Sequence, residues 1–246
     1  MSNALVTAID SMQSDLRLME TLSQNMVNVS TPGYRRTIPA NPAASAAFER
    51  ALQDSHPAAA GVPAPVAAAT AAVDLSHGSV KQTGRSWDLA IEGDGYFELA
   101  TPNGPAYTRA GDFALDARGR LVAANGFPVQ GTQGDVMLEG PDATIGRDGR
   151  IAQGGREVAQ LRIVRFGQPN ALRRDASGLL QPAPGTVGEP DARAQVLAGF
   201  LEGSNVAPMR EMVTMLQTTR HFESAQKLYQ GYDDMLGNAI QKLGQF

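Results

Sequence analysis

Apolar residues recur at alternating steps of four and three near the start of the chain: Leu5, Ile9, Met12, Leu16, Met19, Leu22 and Met26. This spacing predicts a helix over residues 4–29 with a narrow stripe, more like a coiled-coil seam than the broad face of a globular helix. Pro32 and Gly33 mark its end. A second such pattern closes the chain. Met209, Met212, Leu216, Thr219, Phe222, Ala225, Tyr229, Tyr232, Leu236, Ala239 and Leu243 predict a helix over residues 206–243. An extra step of three near Thr219 and Phe222 reads as a stammer, which overwinds a supercoil locally. Pro208 suits the first helical turn, and Glu202 with Ser204 or Asn205 is the expected cap.

Between the two patterns the character changes. Residues 37–75 are rich in Ala and Pro and read as an extended linker, with a short helix across Ala43–Asp54. Residues 76–201 carry short apolar runs cut by turn signals at Asn103-Gly104, Asn125-Gly126 and Asp148-Gly149. Gln160-Leu161-Arg162-Ile163 alternates as a half-buried strand does, and Leu172–Arg193 reads as Gly/Pro-punctuated loop. The expected fold is α+β: a terminal helical domain (1–36 with 202–246), a linker (37–75) and a central all-β domain (76–201). If the β-domain returns the chain near its point of departure, the helices run antiparallel. Met26 then lies level with Met209 or Met212, Leu5 lies near Tyr229 or Tyr232, and the second helix overhangs by roughly two to three turns.

Composition narrows the function. The 246 residues carry a net charge of −4 with only 19% charged residues, so no basic surface invites nucleic acid. With no cysteine, disulfides, thiolate metal sites and cysteine nucleophiles are excluded together. The N-terminus lacks a basic n-region, and Asp10, Asp15 and Glu20 interrupt it before any long apolar run, unlike a conventional signal peptide. No stretch reaches membrane-spanning length. His56, His77 and His221 are scattered, and neither G-x-S-x-G nor H-E-x-x-H occurs, so no catalytic or cofactor role is expected. Asp88, Asp94, Asp112 and Asp116 fit no calcium loop and read as turn residues. Gly93-Asp94-Gly95 is a tight turn, without the G-x-G-x-x-G and helix a phosphate site needs. The methionines read as packing.

Three sequence blocks carry a resemblance. In Leu22–Arg35, Asn25, Asn28, Thr31, Gly33 and Tyr34 match the N-terminal signature of flagellar rod and hook proteins, with Val27, Pro32 and Arg35 as departures. Asn25 and Asn28, one turn apart, are expected on one helix face, and Gly33 supplies the left-handed exit. Trp87–Phe97 followed by Tyr107–Phe113 resembles the central block of the same family. Leu201-Glu202-Gly203-Ser204-Asn205-Val206, with Glu211-Met212 and Arg220-His221-Phe222-Glu223 downstream, resembles its C-terminal signature; Arg220 and Glu223 are spaced to pair.

The resemblance spans nearly the whole chain outside residues 37–75. It implies a non-enzymatic subunit of the flagellar basal body, exported by the flagellar type III apparatus without cleavage of a signal. Such a subunit polymerises with itself and other rod and hook proteins in the periplasm-spanning rod, conveying torque without membrane insertion. The single modest β-domain fits the F-type proximal branch best and the G-type distal branch next; hook proteins usually carry larger insertions. The expected assembly interface is Leu5, Ile9, Met12, Leu16, Met19 and Met26 with Met212, Leu216, Phe222, Tyr229, Tyr232 and Leu236. Two readings from other classes compete. A periplasmic carbohydrate-binding or hydrolytic protein needs a carboxylate pair or an aromatic platform, and the sole tryptophan, Trp87, sits inside a strand pattern. A coiled-coil adhesin stalk needs longer heptads than these.

Overall fold

The computed structural model describes residues 2–38, 72–140, 142–168, 172–175, 177–191 and 193–243. Helical side chains are described for 9–27, 208–232 and 234–235. The expected short helix across Ala43–Asp54, the rest of that linker and His56 lie outside these residues. The chain divides into two compact units, one built of the terminal helices, the other of Asn28–Thr37 with Ala72–Val206. Residues 28–36 and 202–206, expected with the helices, are thus grouped with the strands.

In the helical unit, α1 (Ser2–Val27) and α2 (Pro208–Leu243) pack against each other. They run antiparallel: Asp15 reaches His221 while Asn25, farther along α1, reaches Glu211, earlier in α2. Pro208 opens α2, where its missing N–H removes no helical bond. The Ala207 carbonyl accepts the first helical bonds, from the N–H groups of Arg210 (3.0 Å) and Glu211 (3.1 Å). The expected caps are employed elsewhere: the Ser204 hydroxyl accepts the Val206 N–H, and the side chains of Glu202 and Asn205 are engaged within the β-unit.

The β-unit is a set of short antiparallel strands. Its largest sheet has six, in the order Leu172–Arg174, Leu180–Pro182, Gly104–Thr108, Tyr96–Thr101, Ile163–Phe166 and Gly188–Pro190. Successive residues of its central strand serve opposite faces. Phe97 and Leu99 enter the main core with Leu89, Phe113, Leu121, Val129 and Ile151, while Tyr96 joins Tyr107, Val164, Phe166 and Leu180. Phe97 meets Phe113 edge-on at 5.0 Å, and Tyr107 meets Phe166 edge-on at 4.8 Å. A three-stranded sheet (Ala143–Ile145, Arg150–Gln153, Arg156–Gln160) and several two-stranded ribbons complete the unit.

Two expectations are corrected. The alternating run Gln160–Ile163 is the passage between two sheets rather than one strand: one strand ends at Gln160, another begins at Ile163, and Leu161 forms an isolated bridge to Gly131. Leu161 and Ile163 are both buried, so the alternation was real. The region read as loop, 172–193, contains three strands at the margins of the six-stranded sheet. Pro190 is tolerated there because its strand is an edge of the sheet.

Candidate functional site

The helical unit has two kinds of surface. The seam between α1 and α2 follows Asp15, Leu18, Leu22 and Asn25 on α1 and Glu211, Met215, Thr218, Phe222 and Ala225 on α2. Of these, Asp15, Leu22, Asn25, Glu211, Thr218 and Ala225 are buried and the others half-buried. The seam is unusually polar. Asn25 donates to Glu211 at 3.4 Å, His221 pairs with Asp15 at 2.7 Å, and the Thr219 hydroxyl lies 3.8 Å from the Met19 sulfur.

The apolar stripes read from the sequence only partly coincide with this seam. On α1, Met12, Met19 and Met26 flank it half-buried, while Leu16 is 52% exposed and Ile9 is also exposed. At 3.6 residues per turn, Ile9 and Leu16 lie about 150° round the helix from the seam. On α2, Met209, Met212, Val213 and Leu216 form an equally displaced apolar face, with Met209 74% and Leu216 62% exposed. The stammer at Thr219–Phe222 is where the apolar stripe crosses from that outward face to the seam. Downstream, half-buried Phe222 lies in the seam; Tyr229 and Tyr232 continue its line, Tyr229 exposed and Tyr232 half-buried. The side chains of Leu5 and Leu236 lie outside the described residues.

In the β-unit the three sequence blocks converge on one buried charge cluster. Arg35 follows the N-terminal signature, Arg109 lies in the central block and Glu202 in the C-terminal one. All three are almost fully buried. The Glu202 carboxylate pairs with Arg35 at 2.8 Å and Arg109 at 3.1 Å, and accepts the Gly78 N–H at 2.9 Å. Backbone carbonyls accept further terminal N–H groups: Ser76 from Arg35, and Ile91 and Gly93 from Arg109. Arg109 also lies over the Tyr96 ring, 5.3 Å from its centre. Burial holds the Arg109 guanidinium below the usual arginine range; Glu202 opposes this, and the neighbouring Arg35 adds to it.

The rest of the N-terminal signature is bound into the same junction. Gly33 has φ +64°, and a Cβ there would stand 2.1 Å from the Ala110 nitrogen, so the position admits only glycine. Its N–H donates to the Glu202 carbonyl at 2.8 Å. Buried Tyr34 stacks under Arg174 at 4.2 Å. The Asn205 amide donates to the carbonyls of Asp74 and Ser76, both at 2.9 Å, and its oxygen accepts the Arg36 N–H at 2.5 Å. Asn28 does not share a helix face with Asn25: it lies past the end of α1, in a turn where its carbonyl accepts the Thr31 N–H and its side-chain oxygen the Thr31 hydroxyl. Ser204 forms a local turn, and Val206 is buried. Among the described residues Arg220 and Glu223 form no ion pair, and His221, read as incidental, is a seam residue. The sequence had singled out Arg35 and Arg109 only as motif letters and Glu202 as a motif letter and helix cap. The signal available was their charge, but only Arg35 is the sole charged residue of its block, and Arg109 and Glu202 stand among other charged residues in theirs.

Comparison with known proteins bears on both surfaces. A family described as the flagellar hook protein FlgE/F/G D1 domain matches residues 90–153, and one described as the flagellar basal body rod FlgEFG protein C-terminal matches 197–242. The flagellar basal-body rod protein FlgF of Rhizobium meliloti is 32% identical over 251 residues, covering 99% of both chains. The chain belongs to the flagellar basal-body rod protein family. FlgF of Escherichia coli K12 is 30% identical over 99% of both chains, and FlgG of Bacillus subtilis 29% over 98% of both. As a member of this structural, non-enzymatic family, the chain is a subunit of the basal-body rod. The first match includes Arg109, the second Glu202 and most of α2. No described helix is long and apolar enough to cross a membrane.

Proposed function

We propose that this rod subunit is of the F type, joins the shaft through the outward faces of α1 and α2, and thereby conveys torque. Near end-to-end similarity to FlgF chains supports the F-type assignment, with the FlgG branch second at nearly equal identity. The observation that carries the assembly reading is the placement of the apolar residues. Ile9 and Leu16 face away from α2, and Met209, Met212, Val213 and Leu216 face away from α1, so the hairpin carries apolar surface on opposite sides. Two different patches that match each other make a heterologous contact, which repeats without closing and builds a filament. The neighbours are further copies and other rod and hook subunits in the periplasm. Membership of the rod family supports delivery by the flagellar export apparatus.

The test is Leu16→Arg and Leu216→Arg, scored for rod incorporation and swimming alongside melting of the purified monomer. Each charge enters a surface that is free in the monomer and buried in the rod, where an unpaired charge costs several kcal/mol. Incorporation should fail while the monomer melts as the parent does. Normal swimming by both variants would sink the interface.

A further inference from the structure

Beside the buried cluster lies a cavity of about 400 Å³ that the ion pairs themselves do not explain. It is lined by Arg109 and Tyr96, by the apolar side chains of Leu75 and Phe166, and by three exposed groups, His77, Asp94 and Arg165. The charges beside it do not balance. Glu202 is a single carboxylate serving two buried guanidiniums, and the Nε–H groups of both Arg35 and Arg109 are buried without an acceptor. Asp94 offsets the surplus only weakly. It is largely in solvent and reaches the cluster through His77, whose Nε2 lies 3.1 Å from it and whose Nδ1 lies 3.4 Å from Arg35. Arg165 stands opposite Glu189 across two paired strands, yet makes no ion pair among the described residues.

We propose that this cavity receives a carboxylate, held by Arg165 and drawn by the surplus charge of Arg35 and Arg109, with Leu75 and Phe166 packing its aliphatic stem. The carboxylate comes from an acidic side chain of an adjoining subunit or from a free small acid. Arginine at the mouth suits a planar carboxylate, which its fork grips through two parallel bonds. Only the choice between the two sources rests on the rod-assembly reading; the binding itself does not.

The probe is N-acetylglutamate, with N-acetylglutamine as its uncharged counterpart, titrated into the full-length monomer at constant ionic strength. The readout is the arginine Nε–H signals of ¹⁵N-labelled protein. The carboxylate probe should give a saturable shift that weakens at least tenfold in Arg165→Gln, a variant that leaves the buried ion pairs untouched, and the amide should give none. Equal responses to the two probes, or an unchanged response in Arg165→Gln, overturn the site. Rod incorporation of Arg165→Gln then separates the sources: loss assigns the carboxylate to a neighbouring subunit, normal incorporation to a free acid.

Discussion

Glu202 is the residue whose loss the structure makes most costly. Among the described residues its carboxylate is the only anion paired with Arg35 and Arg109, at 2.8 and 3.1 Å, and all three side chains are within a few per cent of full burial. Glu202→Gln preserves shape and an acceptor for the Gly78 N–H, but leaves two buried cations with no counter-ion. Breaking a buried pair in this way costs about 3–5 kcal/mol, a large part of the roughly 5–15 kcal/mol that holds a domain folded. At about 2–4 °C per kcal/mol for a chain of this size, the melting midpoint should fall by roughly 6–20 °C. Trp87 is the sole tryptophan and packs against the main β core, so its fluorescence follows this unit.

The two-to-one stoichiometry adds a ranking. Arg35→Met removes the surplus cation and leaves Arg109 and Glu202 as a neutral pair, so it should cost less than Glu202→Gln even though the Ser76 carbonyl loses one of its two donors and keeps the Asn205 amide. Urea melts of the two full-length variants, followed at Trp87, check both statements. A loss under about 1 kcal/mol for Glu202→Gln, or the reverse order, would refute the reasoning that net buried charge governs this site.

Other consequences are simpler. Gly33→Ala should cost at least about 2 kcal/mol, since a left-handed backbone and a clash with the Ala110 backbone add; Gly126→Ala, with open space around its φ of +81°, should cost only about 1–2. Asp112→Asn should raise the melting midpoint at pH 7. Burial, with Asp88 adding to it, lifts the Asp112 pKa above its ordinary value, so its contribution is fully favourable below that value and lost as pH rises through the raised one. The gain should shrink in melts taken towards pH 4. Cysteines at Met19 and Thr219, whose native side chains touch, should join in the monomer through a short bis-maleimide. Cysteines at Ile9 and Thr219, about 15 Å farther apart along the axis, should not.

The fold was legible where local chemistry decides it. Gly126 and Gly149, at φ of +81° and +74°, sit in the turns their sequence signals marked, and the outward and inward alternation of Leu161 and Ile163 survived although they bridge two sheets. Within 172–193, Leu172–Arg174 pairs locally with Leu180–Pro182, but the partners that join these strands to the sheet, Tyr107 and Val164, lie outside the segment. Without those partners the segment shows only its prolines and glycines. The buried cluster was hidden for a related reason. A charged residue in a single sequence reads as solvated until its partner is found, and Arg35, Arg109 and Glu202 are separated by 74 and 93 positions.

The helices show a different limit. Apolar periodicity locates a stripe but does not say which partner covers it. On both helices the intrachain seam coincides with the stripe only in part: Leu22, Phe222 and Ala225 belong to both, and Asp15, Asn25, Glu211 and Thr218, polar residues that a hydrophobic pattern skips, fill much of the rest. Burying such groups stabilises little and specifies much, since Asn25 meets Glu211 and Asp15 meets His221 only in one register. The exposed apolar residues Ile9, Leu16, Met209, Met212 and Leu216 are then free to serve the proposed contacts between molecules. A subunit that used its best stripe to close its own hairpin would be a more stable monomer and a poorer polymer. Here the pairs Asn25–Glu211 and Asp15–His221 fix the register of the two helices while Leu16 and Leu216 stay exposed for the proposed neighbours, so the stripe in the sequence and the seam in the structure coincide only in part.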